Sequence, residues 1–315
     1  MNKAQLEQAL QEISRIAGEA LHAKASPGSN GHEPADEPTD VACSIKRLPE
    51  RLNARAAEVA ARINPANAPL LQFYSAGESL PDSPARLTVL TAKYWGAIPR
   101  VLSVSFLEST PADLRARIVS HLNAWNLRIG ISFAETAGVG DVRISRGPGG
   151  YWSYLGTDIT LIPKNRPTMN LQAFTMSTSE SEFRRVIRHE AGHTLGFPHE
   201  HMRKELVARI DPEKAYPYFL RTQGWTKEMV DQQVLTPLNN ASIIGTPADQ
   251  DSIMCYQLPG MITKDGQPIR GGTDINATDY AFASSLYPKA SLTVESIIGD
   301  EVGDWDVSED VEVSV

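Results

Sequence analysis

The sequence contains little cysteine and no long apolar run. Its two cysteines, Cys43 and Cys255, are too few for a disulfide framework, and neither belongs to a C-x2-C pair of the kind that builds structural zinc sites. Its apolar stretches are shorter than the roughly 18 residues that a membrane-spanning helix needs. The chain begins Met1-Asn2-Lys3 and continues with polar residues at helical spacing, so no secretory signal is predicted.

Basic charge is also scarce. The 315-residue chain carries 30 Lys and Arg against 38 Asp and Glu, a formal net charge of −8. Nucleic acid is therefore not expected as a partner, because its binding needs a concentrated basic surface. Much of the acidic excess lies between Glu295 and Glu312, so an acidic tail is predicted over 289–315. The remaining chain, ordinary in hydrophobic content, can bury a core, and its composition indicates no oligomeric state.

Changes in composition divide the chain into segments. Residues 1–24 have the apolar spacing of an amphipathic helix, and residues 25–42 are rich in Pro, Gly, Asn and acidic residues, which predicts a flexible linker. Residues 43–86 are a possible pro-segment or other N-terminal extension. The main domain is predicted to span 87–288, ahead of the acidic tail. The apolar stripe of the first helix consists of Leu6, Leu10, Ile13, Ala17 and Leu21.

Apolar periodicity in the main domain predicts a mixed sheet backed by helices. Leu102 and Val104 alternate with more polar residues, as in a half-buried strand, and further strands are predicted around Ile131 and Val142. A helix is predicted to begin after Pro111, because proline suits the first helical turn. Its apolar face consists of Leu114, Ile118, Leu122 and Trp125.

Four of the chain's seven histidines lie in one short segment. A helix is predicted from Phe183 to Leu195, because apolar residues recur there at helical spacing and Ser179 precedes them as a capping residue. In such a helix His189 and His193 lie four residues apart on one face. Both imidazoles can therefore bind the same metal ion.

A third histidine follows the predicted end of this helix. Gly196 can take the left-handed conformation that ends a helix, so the chain can turn back and bring His199 to the same ion. Three neutral imidazoles with one open position are typical of catalytic zinc. Glu190 lies beside this ion and is predicted to act as general base on a zinc-activated water. The sequence therefore predicts one catalytic Zn²⁺ held by His189, His193 and His199.

The segment His189 to His199 reads H-E-x-x-H-x-x-G-x-x-H and resembles the zinc-binding signature of the metzincin proteases. The segment from Ser252 to Tyr256 resembles the S-x-M-x-Y turn of the astacins, and other landmarks resemble bacterial astacin-like peptidases. The resemblance implies that Met254 forms a hydrophobic floor below the histidines. It also implies that Tyr256 is catalytic: it binds zinc at rest and then stabilises the oxyanion.

The resemblance implies an α+β fold of the metzincin-type zincin kind. A mixed twisted sheet is expected, with an active-site helix above the cleft and an irregular helical lower subdomain. In the lower subdomain, residues 211–235 are expected to be helical with breaks at Pro217 and Gly224. Residues 168–173 fall where the family has its exposed edge strand. Such an edge can bind an extended peptide by adding it as another strand.

The function implied by this resemblance is that of a zinc metalloendopeptidase, which hydrolyses peptide bonds of proteins with Glu190 as general base. Its partner is therefore a protein or peptide substrate. Two alternatives remain: a latent zymogen, and a catalytically silent zinc-bearing protein that binds peptides. Astacin-like proteases mostly act outside cells, so secretion by a route without a cleaved N-terminal signal is expected, with cytoplasmic retention as the alternative.

Cys43 allows two interpretations. Cys43 precedes the zinc motif, so its thiolate could occupy the open metal position and keep a protease latent. Its surroundings, Val-Ala-Cys-Ser-Ile, do not resemble the pro-segment motif of the matrix metalloproteinases, and a lone cysteine is more often an inert buried group. The sequence therefore favours the inert interpretation. Cys255 lies next to Met254, and packing is the favoured role for it as well.

Overall fold

The computed structural model describes residues 43–68, 92–238 and 248–289. The predicted N-terminal helix, the linker and the acidic tail beyond residue 289 lie outside the described residues. Their assignment therefore remains a prediction from sequence. Among the helices of the described ranges, none is both long enough and apolar enough to cross a membrane.

Strands from residues 43–68 and 92–238 together form one mixed sheet. Neighbouring strands lie in the order β1-β5-β6-β4-β2-β3. Strand β5 runs antiparallel to β6, whereas the other neighbouring pairs are parallel. The predicted mixed sheet is therefore confirmed. The strands are β1 (Cys43–Lys46), β2 (Arg100–Phe106), β3 (Ile131–Glu135), β4 (Val142–Ser145), β5 (Tyr151–Tyr154) and β6 (Met169–Leu171).

Helices back the sheet and build the lower part of the structure. The helix that carries the histidines, α3, has three consecutive segments, of which the middle one has π-type hydrogen bonding. The helices are α1 (Asn53–Ile63), α2 (Ala112–Leu122), α3 (Glu180–Glu182, Phe183–Ile187 and Arg188–Thr194), α4 (Lys204–Val207), α5 (Pro212–Gln223), α6 (Lys227–Val230, followed by the π-turn Asp231–Leu235) and α7 (Ala277–Leu286).

The largest hydrophobic core holds the histidine helix from behind. Leu102 and Val104 of β2 are buried, as their alternation predicts, and so is the predicted apolar face of α2. Trp125 follows α2 and is buried among the same residues. Its indole N–H donates to the carbonyl of Arg188 at 2.8 Å. Because this bond ties the core to the middle of α3, the core fixes the position of the histidines.

The lower part differs from the prediction at one of its two expected breaks. Helix α5 ends at Gly224, whose φ of +67° is the left-handed conformation predicted there. The expected break at Pro217 is wrong, because α5 continues through this residue. Proline removes one main-chain bond, to Glu213, and both residues are exposed, so water can satisfy the freed carbonyl.

The edge of the sheet also differs from the prediction. Residues 168–173 contain β6, which pairs with β4 on one side and β5 on the other, so they do not form an edge. The outermost strand on the β6 side is β1, and β5 lies between β1 and β6. β1 pairs with β5 in parallel, in a register that places Cys43 opposite Tyr151 and Ile45 opposite Ser153. The segment upstream of the main domain therefore covers the strand that would otherwise be open.

Candidate metal centre

Helix α3 presents two histidines at helical spacing. Its first turn is capped by the Ser179 hydroxyl, which accepts a hydrogen bond from the Glu182 N–H at 3.2 Å, as the sequence predicts. His189 and His193 both lie in its last segment and are buried. Their ring centroids are 4.6 Å apart. The predicted pairing of these two imidazoles on one helix face is therefore confirmed.

The chain turns back after α3 at Gly196. This glycine has a φ of +99°, and a Cβ there would lie 3.0 Å from the Lys93 carbonyl oxygen. Phe197 N–H then donates to the carbonyl of Gly192 at 2.9 Å. His199 follows this turn, and its Nε2 lies 3.0 Å from Nε2 of His193. The third predicted ligand therefore reaches the same point as the first two.

Main-chain carbonyls orient two of the three imidazoles. Nδ1 of His189 is 2.6 Å from the carbonyl oxygen of Ile253, and Nδ1 of His193 is 2.7 Å from that of Phe197. Each Nδ1–H donates to its carbonyl, which leaves Nε2 unprotonated and free to bind a metal. Such carbonyl partners are typical of metal-bound histidine.

The electrostatics of the site suit a cation. Burial lowers the pKa of His189 to about 4, and it lowers the pKa values of His193 and His199 well below the ordinary range, so the rings are neutral. Among the described residues, Nε2 of His189 has no hydrogen-bond partner. Ligands on a tetrahedral zinc ion lie about 3.3 to 3.8 Å apart. The converging neutral nitrogens therefore fit Zn²⁺.

Glu190 lies beside this cluster with no exposed surface. Its carboxylate interacts with the neighbouring thiol of Cys43. Burial raises the pKa of Glu190 to about 8. A buried carboxylate is costly unless polar groups, water or a cation surround it. Its position next to the imidazoles is the one predicted for a general base.

Met254 packs against Gly192 in the helix that carries two of the histidines. The buried Asp279 organises this turn: it accepts hydrogen bonds from the Ser252 hydroxyl at 2.6 Å and from the Ile253 N–H at 2.9 Å. The Glu200 N–H donates to the carbonyl of Met254 at 2.8 Å, which joins the turn to the loop that carries the third histidine. This bond and the one between His189 and the Ile253 carbonyl connect the methionine turn to the candidate metal centre.

Tyr256 stacks on a fourth histidine, His201. The rings lie 4.5 Å apart and 7° from parallel, and His201 Nε2 is 2.9 Å from the carbonyl oxygen of Gln233. Burial lowers the pKa of His201 to about 3, so the ring is neutral and donates this bond. The Tyr256 hydroxyl is buried and lies next to the thiol of Cys43, with which it interacts.

The fourth group at the cluster is the thiol of Cys43. This thiol and one nitrogen from each of the three histidines all lie within 4.8 Å of one another. Burial raises the pKa of Cys43 well above its ordinary value, and the negative charge of Glu190 adds to this effect. The inert interpretation favoured by the sequence does not account for this position. Cys255 is buried beside the methionine turn, as its predicted packing role requires.

Sequence reasoning gave no role to three supporting residues of this centre. Asp279 contacts the methionine turn, His201 stacks on Tyr256, and Gln233 contacts β1. For Asp279 and His201 a signal was present, because both lie in segments that resemble astacin-like peptidases. In addition, Asn276 and Asp279 have the spacing of a capping box, and both reciprocal bonds form. Gln233 is brought to the site by tertiary packing, and no local sequence pattern predicts it.

Comparison with known proteins identifies the family. The model of the astacin peptidase family matches residues 90–267. Zinc metalloproteinase nas-27 of Caenorhabditis elegans is 25% identical over 230 residues, which are 71% of this chain and 47% of that protein, so the chain spans about half the length of this curated relative. The structure of myroilysin is 29% identical, with a TM-score of 0.59, and the match covers 63% of this chain and 97% of the other.

The matched region contains His189, His193 and His199 together with the methionine turn. The structural likeness to myroilysin, together with the mixed sheet and its helices, shows a fold of the metzincin kind. The chain belongs to the astacin family of zinc metallopeptidases, and its cluster of three histidines fits the zinc ion that this family binds.

Proposed function

We propose that the protein is a zinc-dependent endopeptidase in which His189, His193 and His199 hold one zinc ion. The observation that carries this proposal is the convergence of three neutral imidazoles next to the buried carboxylate of Glu190. Zinc bound there would activate a water molecule and polarise the carbonyl of the peptide bond. A structural zinc site would not need a buried carboxylate that is not itself a ligand.

Glu190 is the general base of the proposed reaction. One of its carboxylate oxygens accepts a proton from the attacking water and later delivers it to the nitrogen of the leaving amine. A group that both accepts and returns a proton works best when its pKa is near the working pH. Burial, which raises the pKa of Glu190 to about 8, supports this role.

Tyr256 stabilises the developing oxyanion in this proposal. Its hydroxyl is buried near the histidines and next to the thiol of Cys43, which the substrate would replace. A donor that is already desolvated and held by stacking on His201 needs little rearrangement when charge develops on the substrate. Loss of one such donor costs about 3 to 4 kcal/mol of transition-state stabilisation in other enzymes.

An extended peptide is the proposed substrate. The outer side of β5 already holds an extended segment, β1, so this edge has the geometry that strand addition requires. Main-chain hydrogen bonds of this kind are made by any sequence. The proposal therefore predicts peptides and unfolded protein segments as substrates.

Peptide cleavage by mass spectrometry, on a library derived from a proteome, tests the activity. The full-length chain, its Cys43→Ala variant and the Glu190→Ala variant should be compared with and without a chelator. We expect cleavage that disappears with the chelator and in Glu190→Ala, while Glu190→Ala still binds zinc. Absence of cleavage by every form, with zinc bound, would instead favour a silent peptide-binding protein.

A second candidate function is that of a latent zymogen, with residues 43–86 as its pro-segment. The thiol of Cys43 lies where the fourth zinc ligand would bind, and β1 covers the edge strand at the same time. The residues that follow β1 contact the body through a small hydrophobic cluster of Leu48, Ala56 and Ile162, and through hydrogen bonds between Asn67 and the main chain of Tyr94. The buried residues of the largest core all lie at or after Tyr94, which supports a covering segment whose removal leaves that core in place.

Thiol chemistry tests latency independently of activity. Replacement of zinc by Co²⁺ should give a thiolate-to-metal charge-transfer absorption that is lost in Cys43→Ser and kept in Cys255→Ser. Cys255→Ser is a matched control, because it leaves Cys43 as the one cysteine of the chain. Cys43→Ser should also cleave faster than the parent. An absorption band that persists in Cys43→Ser would rule out thiol ligation.

The place of action is also a proposal. Secretion is favoured by membership of the astacin family, whose enzymes mostly act outside cells. Fractionation of cells that produce the full-length chain, followed by immunodetection in the medium and in the cytoplasm, tests it. Detection in the cytoplasm alone would contradict secretion.

A further inference from the structure

The side chain of Gln233 binds the main chain of β1 as a neighbouring strand would. The Ile45 N–H donates to Gln233 Oε1 at 3.1 Å, and Gln233 Nε2 donates to the Ile45 carbonyl at 3.2 Å. In a sheet, a residue that faces the neighbouring strand is likewise bonded through both its N–H and its C=O. Gln233 is buried in the π-turn that follows α6, across the cleft from the sheet.

Register explains why Ile45 is the residue held. Main-chain groups of successive residues in a strand point to opposite sides. Because the N–H and C=O of Ile45 face Gln233, those of Ser44 and Lys46 face β5. The main chain of an extended segment in this position is therefore hydrogen-bonded to β5 on one side and to Gln233 on the other. Cys43, two residues earlier, lies at the metal centre.

We propose that Gln233 is a substrate-positioning residue, whose side-chain amide binds the N–H and C=O of one substrate residue, two positions from the residue at the metal. The inference rests on the proposed endopeptidase function and on β1 occupying the substrate's place. A carboxamide suits this task because it offers one donor side and one acceptor side. Rotation of the amide exchanges the two, so Gln233 can hold a chain of either direction.

The position of Gln233 is fixed independently of its side chain. Its carbonyl oxygen accepts the hydrogen bond from His201 Nε2, and His201 stacks on Tyr256. A substitution of the Gln233 side chain leaves this main-chain bond in place. The amide is thus held at a constant distance from the proposed oxyanion donor, and its substitution tests binding without removing the support of Tyr256.

Hydrogen exchange of the full-length chain tests the contact with β1. In Gln233→Ala the Ile45 amide should exchange at least tenfold faster, whereas the amides of Ser44 and Lys46, which face β5, should change less. Gln232→Ala is the matched control, because the side chain of Gln232 is exposed and only its carbonyl binds Arg47. Equal exchange of the Ile45 amide in both variants would contradict the proposed contact between Gln233 and β1.

Kinetics in the full-length Cys43→Ala background test the role toward substrate. With the best peptide from the library, Gln233→Ala should raise KM about tenfold with little change in kcat, because two neutral hydrogen bonds made equally in ground and transition states are lost. Gln233→Glu, which keeps the volume and loses the donor, should give an intermediate increase. An unchanged KM in both variants would overturn the proposal, even if Ile45 exchange responds.

Backbone N-methylation of the peptide locates the contact. Methylation of the amide that faces Gln233 should raise KM with Gln233 present and have no further effect in Gln233→Ala. Methylation of the adjacent amide, which faces β5, should weaken binding equally in both proteins. An equal increase in KM on methylation at every position would contradict the proposed contact between Gln233 and the substrate. Failure of the endopeptidase function would be distinct, since the Cys43→Ala chain with Gln233 intact would then show no chelator-sensitive cleavage.

Discussion

Met254 lies directly against Gly192 in the middle of the histidine helix. A Cβ atom on Gly192 would be 2.3 Å from the Met254 sulfur and 3.3 Å from the ring of Trp125. Gly192 stands between His189 and His193, so the methionine turn can approach the helix backbone where the two ligands emerge. The glycine inside H-E-x-x-H therefore has a packing role here.

Substitution of Gly192 by alanine should destabilise the protein and weaken zinc binding. An alanine in an unconstrained helix would stabilise it by about 1 kcal/mol, but the clash with Met254 should reverse the sign and cost about 1 to 3 kcal/mol. Urea unfolding and zinc competition with a chelator measure both effects. Gly138→Ala is the control, because its Cβ would have no neighbour closer than 3.7 Å. A stabilised Gly192→Ala would contradict the packing.

The convergence of the three histidines could be predicted from sequence because their spacing is local. The helical period fixes His189 and His193. Gly196 ends the helix by its conformational freedom, so the short turn that follows limits where His199 can lie. Strands β2, β3 and β4 were predictable for a similar reason, because local apolar alternation marks them.

The contacts of Cys43 and β6 could not be predicted in this way. Cys43 reaches the zinc cluster because β1 pairs with β5 about 100 residues later, and four residues without strong alternation do not specify that pairing. Residues 168–173 were expected at the edge because their position along the chain suits it. Their place inside the sheet depends on which strands flank them, and tertiary pairing decides that.

Asp279→Asn should weaken the zinc centre from a distance. Asp279 accepts hydrogen bonds from Ser252, Ile253 and Asn276, and Ile253 in turn orients His189. The amide of asparagine places a donor where one carboxylate oxygen accepted, so at least one of these bonds is lost. We expect zinc affinity to fall about 10- to 100-fold. Chelator competition measures it, with Ser252→Ala, which removes one bond, as a milder comparison; equal affinity in Asp279→Asn and the parent would contradict this role.

Tyr256→Phe should separate catalysis from stability. The neighbour of the buried hydroxyl is the thiol of Cys43, which is a weak hydrogen-bonding group, so removal of the hydroxyl should change the free energy of unfolding little. The stack on His201 is retained by phenylalanine. In the Cys43→Ala background kcat should fall about 100- to 1,000-fold with a similar KM. A variant that keeps its kcat would remove Tyr256 from the mechanism.

Glu180 should contribute to stability in a defined acid range. It begins helix α3 and binds Arg117 and Arg184, and the hydrogen bond from Arg117 is the main cause that lowers its pKa from 4.5 to about 2. Because the folded pKa is the lower one, this contribution is present above pH 4.5 and is lost as the pH falls toward 2. The side chain is half-exposed, so screening keeps the contribution below about 1 kcal/mol.

Glu180→Gln should therefore lower the free energy of unfolding at pH 6, and its difference from the parent should shrink as the pH falls to 2.5. Urea unfolding of both proteins across this range, with the chelator present throughout, isolates the effect from zinc binding. High salt is the control, because about 1 M salt shortens the screening length to about 3 Å and should reduce the difference at pH 6. The difference in the free energy of unfolding could instead stay constant from pH 6 to pH 2.5. Glu180 would then act by packing or capping, and its ion pairs with Arg117 and Arg184 would contribute nothing to stability.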